Sequence, residues 1–125
     1  MPSSQDIRII RHLAAEVAEI AALPIQEEKR TLWRRLNGLK PVRPMVMIDQ
    51  VCWNEMERDG ELALQCEDPE CRSYEVFLRR TLYQWRHFPV DMVVEPFIRV
   101  PKAIHGLSVG VVAKEEIAVL DPTNS

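Results

Sequence analysis

An alternating α/β fold is what this 125-residue sequence predicts, and three observations carry the prediction. Two short apolar runs, MVMID at 45–49 and DMVVEPF at 91–97, read as strands buried on both faces, the pattern of a parallel sheet. Between them Asp68-Pro69 opens a helix that reaches His87, so strand, helix and strand make one right-handed βαβ unit. Hydrophobic residues at 46% and charged residues at 28% belong to a chain that folds rather than to a disordered one.

The elements follow in order. Over 5–22, Ile7, Ile10, Ala14, Val17 and Ala21 recur every three or four residues, the period of an amphipathic helix, with Ser3 or Ser4 placed to cap it. Pro24 ends that helix and starts the next, whose acids come first and whose Arg34 and Arg35 come last, matching the helix dipole. Gly38 sits where a left-handed cap is wanted. Residues 1–40 are thus expected to form an N-terminal helical hairpin.

Pro41 and Pro44 then impose an extended lead-in to the strand at 45–49. Asp59-Gly60 signals a turn, and 61–65 alternates as a short strand would. In the helix over 68–87, Tyr74, Leu78, Leu82 and Trp85 share one stripe, while Arg79, Arg80 and Arg86 lie mostly off it. Pro89 stops it before the strand at 91–97, and SVGVV and EEIAVL read as a following loop or hairpin. One βαβ unit cannot cover both faces of its sheet, which predicts that the chain continues past Ser125.

Sixteen basic against nineteen acidic residues leave a net charge of -3, which gives no drive toward nucleic acid or anionic lipid. The N-terminal apolar stretch is broken by Asp6, Arg8, Arg11, Glu16 and Glu19, so neither a signal peptide nor a membrane span is expected. Three cysteines, an odd number, suit a reducing compartment, and the expected location is cytoplasmic.

Motifs that carry chemistry are scarce. Cys66 and Cys71 are five apart and lack a second tight pair, so no metal site is expected within this chain. No G-x-S-x-G, G-x-G-x-x-G or P-loop pattern occurs. Trp33 and Trp85 are expected to pack in the core, and His87 to interact with helix-end carbonyls. Two carboxylates stand out: Asp49 closes the first apolar run and Glu95 sits late in the second. In parallel α/β proteins ligands bind at carboxyl ends of strands, and an acid there needs a partner or a purpose. The bland alternative is that Asp49 and Glu95 cap helices or pair with Arg43 or Arg99.

The stretch RRLNGLKPVRPMVMID, through Arg34, Leu36, Gly38, Pro41, Arg43 and Pro44, resembles the entry into the uroporphyrinogen decarboxylase superfamily. ALQCEDPECRSYEVFLRRTLYQWRHFPVDMVVEPFIRVPKAI looks like its corrinoid methyltransferase-related bacterial branch, so the resemblance runs from about Glu28 onward. It implies the first βαβ part of a TIM (β/α)8 barrel, begun in residues 41–125 and incomplete in this chain. It also implies methyl transfer between a small methylated substrate and a corrinoid partner protein or thiol, with zinc held later in a longer protein that this chain, inactive alone, would begin. Where the decarboxylases carry R-Q-A-G-R, this chain has Asp49, Gln50, Val51, Cys52 and Trp53. Their substrate-holding aspartate is replaced by the run Pro96, Phe97, Ile98, Arg99. These departures favour methyl transfer over decarboxylation of a porphyrinogen-like or other carboxylated substrate. On this reading Asp49 and Glu95 shape the substrate mouth and Trp53 walls it. The competing expectation is a non-enzymatic domain whose helical hairpin and Arg-rich helix dock a partner protein.

Overall fold

The computed structural model describes residues 1–103, which form four helices: α1 (Ser4–Ala21), α2 (Pro24–Asn37), α3 (Trp53–Met56) and α4 (Pro69–His87). The expected segments SVGVV and EEIAVL lie outside the described residues.

Local chemistry explains the helix boundaries. At α1 the Ser3 hydroxyl accepts from the Asp6 amide at 3.0 Å while the Asp6 carboxylate accepts from the Ser3 amide at 2.9 Å, a reciprocal cap. Pro24 takes the first turn of α2, where its missing N–H has no use. Asp68 caps α4 by accepting from the Glu70 and Cys71 amides at 3.1 and 3.2 Å, with Pro69 behind it. The left-handed residue after α2 is Leu39, at φ 58, whereas Gly38 keeps φ -84. Leu39 N–H donates to the Leu36 carbonyl at 3.0 Å and Lys40 N–H to the Arg35 carbonyl at 2.8 Å, which together close a Schellman turn. The expected geometry is there, one residue later. Gly60 does take φ 81 in its turn.

The core lies where α1 crosses α4. Leu13, Val17 and Ala21 of α1 meet Leu78 and Leu82 of α4, and Val94 from the later loop completes the cluster. Ile10, Ala14 and Trp85 pack around it, while Ile7 stays 38% exposed at the end of the expected stripe.

The α/β expectation is overturned. Among the described residues there is no β-strand, hence no βαβ unit and no part of a TIM (β/α)8 barrel; the domain is all-α. Segments 45–49 and 91–97 hold no strand, and a single backbone bond joins them, Asp91 N–H to the Val46 carbonyl at 3.1 Å. The physical reason is competition from side chains. The Val46 amide donates to the Asp91 carboxylate at 2.8 Å, the Ile48 carbonyl accepts from Gln84 Nε2 at 2.7 Å, and the Val94 amide donates to Gln26 Oε1 at 2.8 Å. Groups that a neighbouring strand would have used are taken by α2, α4 and Asp91. Nor is the first run buried: Val46, Met47 and Ile48 are all exposed. The expected strand at 61–65 is likewise absent. Ala63 N–H closes a turn on the Gly60 carbonyl, and the Gln65 and Cys66 amides donate to Glu75 at 2.9 Å each.

Candidate functional site

Three buried carboxylates, Asp6, Glu75 and Asp91, and the buried amide of Gln26 fix the loops that surround any site. Asp91 follows Val90, a β-branched residue held at φ 42, where a side chain is strained. Its carboxylate receives Arg43 through two nitrogens at 2.6 and 3.0 Å, Lys29 at 2.7 Å and the Val46 amide. Trp33 Nε1 donates to the Asp91 carbonyl at 2.8 Å. The Arg43 guanidinium first, then Lys29, hold the Asp91 carboxyl well below the usual carboxylate range. Every acceptor position is used, so the cluster ties the 41–46 segment to α2 and to the 89–95 loop and leaves no free oxygen for chemistry.

Glu75 does the same for the 61–67 loop. Burial opposes its ionisation, yet the Cys66 and Gln65 amides and Arg79 together bring its pKa below the ordinary value. Arg79 Nε reaches it at 2.7 Å. Beside it, burial and then Glu75 push the Cys66 thiol up to about 12, so that sulfur stays protonated and unreactive at neutral pH. Cys71 is also buried and Cys52 is exposed; all three thiols are free. Among the described residues no three His, Cys, Asp or Glu side chains converge as a metal ion requires.

The three residues that the sequence singles out occupy different places. Asp49 is exposed on the 45–52 segment, which has no regular secondary structure. Glu95 accepts from Arg30 Nη2 at 3.1 Å and borders a cavity of about 300 Å³ with Phe77, Thr81, Met92, Phe97 and Arg99. Its observed cation is Arg30, and not the Arg99 that the sequence suggested. Trp53 opens α3, edge-on to Tyr83 with ring centroids 6.1 Å apart, and borders a separate cavity of about 290 Å³. Asp49 lines neither cavity. The structure therefore does not gather Asp49, Trp53 and Glu95 into one mouth.

The Trp53 cavity is the more varied of the two. Its walls are Trp53, Asn54 and Glu57 from α3 and the residue after it, Leu62, Ala63 and Leu64 from the loop, and Val76, Arg79 and Arg80 from α4. The Arg80 guanidinium carbon stands 5.1 Å from the Trp53 ring centroid, a cation–π contact. Sequence reading missed Glu57, Arg79 and Arg80 as site residues. Glu75 and Arg79, four apart on a helix, were a legible pair; the fold of the 57–64 loop over them was not.

The fold and these cavities define a small helical domain whose long loops are pinned by helix side chains. No family model, no curated protein and no solved structure matches the chain. Among the described residues no helix is long and apolar enough to cross a membrane.

Proposed function

We propose that this chain is the N-terminal portion of a cytoplasmic uroporphyrinogen decarboxylase-like enzyme of the corrinoid methyltransferase-related branch, inactive by itself. The observation that carries the reading is the Arg43–Asp91 pair. Arg43 belongs to the R-x-L-x-G-x-x-P-x-R-P stretch and Asp91 to the second resembling stretch, and the 2.6 Å bond between them unites the two into one body. Exposed Val42, Val46, Met47 and Ile48 add support, because an apolar run at the surface suits a domain built against further polypeptide. On this reading Glu95 borders the small methylated substrate, while Trp53 lines a separate cavity. Zinc and a corrinoid protein are supplied from outside the described residues.

The test is transfer of an isotope-labelled methyl group to reduced cob(I)alamin from methanol, methylamines and methyl sulfides. The product of the complete open reading frame is expected to transfer label, and the 125-residue chain to transfer none. A complete product that labels cobalamin from none of these donors sinks the proposal.

The exposed apolar run counts against the competing reading, a non-enzymatic domain whose helical hairpin and Arg-rich helix dock a partner protein. That reading predicts a cooperative thermal transition for this chain and no methyl transfer by any longer product.

A further inference from the structure

The geometry points to the Trp53 cavity as a binding site for a small zwitterion with an apolar body, the class fitted being an α-amino acid with an aliphatic side chain. Glu57 and Arg80 border the same cavity with opposite charges, yet no ion pair within 4.0 Å joins them. Among the described residues neither has an oppositely charged partner. Arg79, the other cation in the wall, is already matched by Glu75 at 2.7 Å. The contact of Arg80 with the Trp53 ring consumes none of its five N–H donors. Leu62, Ala63, Leu64 and Val76 supply an apolar wall beside these separated charges.

Ligand chemistry follows from what the two charges demand together. A simple anion would meet Arg80 but face Glu57, and a simple cation would meet Glu57 but face Arg80. A molecule carrying a carboxylate and an ammonium satisfies both, and an aliphatic side chain covers the leucines. About 290 Å³ lies at the small end of ligand sites, enough for an amino acid and too little for a nucleotide. This site requires nothing of the methyl-transfer reading.

The experiment is a titration of the full chain with L-leucine, followed at the indole N–H resonance of Trp53 in proton–nitrogen correlation spectra. Two analogues accompany it: 4-methylpentanoate, which lacks the ammonium, and 3-methylbutylamine, which lacks the carboxylate. Leucine is expected to shift the Trp53 signal saturably, and each analogue to bind about tenfold more weakly because one charge goes unmatched. Glu57→Gln and Arg80→Gln are each expected to weaken leucine about tenfold. Both side chains are exposed, so helix content should stay that of the parent. An unmoved Trp53 resonance, analogues that match leucine, or variants that bind leucine as the parent does would each overturn the site.

Discussion

Asp6 and Asp91 set the acid limit of this domain. Amides of Ser3 and Glu67 lower the Asp6 pKa to about 2, and Arg43 with Lys29 lowers that of Asp91 further. A carboxylate whose folded pKa lies below its unfolded one stabilises fully above the unfolded value and loses that contribution as pH falls through the folded one. The thermal midpoint followed by circular dichroism should therefore fall between about pH 4 and about pH 2. Asp6→Asn should flatten part of that decline. Leu39 offers the opposite kind of test. It is 89% exposed, so its side chain contributes little to packing, while its φ of 58 is one that a Cβ disfavours. Leu39→Gly is expected to raise stability to chemical denaturation by about 1 kcal/mol. Sequence placed the caps at Asp68 and Pro24 because those signals are local. It placed the left-handed residue at Gly38, since nothing local told that the helix would use Gly38 as its last near-helical residue and hand the turn to Leu39.

Helices were legible at the scale of elements, and extended segments were misread. The periods of α1 and α4 survive in Leu13, Val17, Leu78 and Leu82 because a helix satisfies its own backbone and needs only one apolar face. Strand identity depends on what the neighbouring amides bind, which lies far off in sequence. Gln26 shows the point. Fully buried in α2, it accepts from the Val94 amide and donates to the Ile20 carbonyl at 3.2 Å, so a polar side chain occupies the place of a strand neighbour. Gln26→Ala would leave the buried Val94 amide without its acceptor, and urea denaturation should show a loss of about 1–3 kcal/mol.

Across the whole molecule, burial is uneven. The α1–α4 core is buried, whereas Val42, Val46, Met47, Ile48, Phe97 and Val100 remain open to solvent. Surfaces of this kind associate. Concentration-dependent light scattering is expected for the parent chain, and Met47→Lys with Ile48→Lys should reduce it without lowering helix content. The candidate sites were partly legible at this scale. Trp53 and Glu95 do line cavities, but separate ones, because α3 and the 57–64 loop enclose Trp53 while Glu95 turns to Arg30 on α2. Glu57 and Arg80 acquire a shared role only through that loop, and no spacing along the chain announces it.

Loops pinned by helix side chains carry a consequence for how backbone protons trade with deuterium. The amides of Val94 and Cys66 are held by Gln26 and Glu75, both fully buried, so solvent reaches them only when a helix withdraws its side chain. Their exchange should be as slow as that of the Leu78 and Leu82 amides in α4. The amides of Met47 and Asp49, which find no partner among the described residues, should exchange within the dead time of the same experiment. A map of exchange along the chain would then show slow islands outside every helix, marking the points at which the helices clasp the loops.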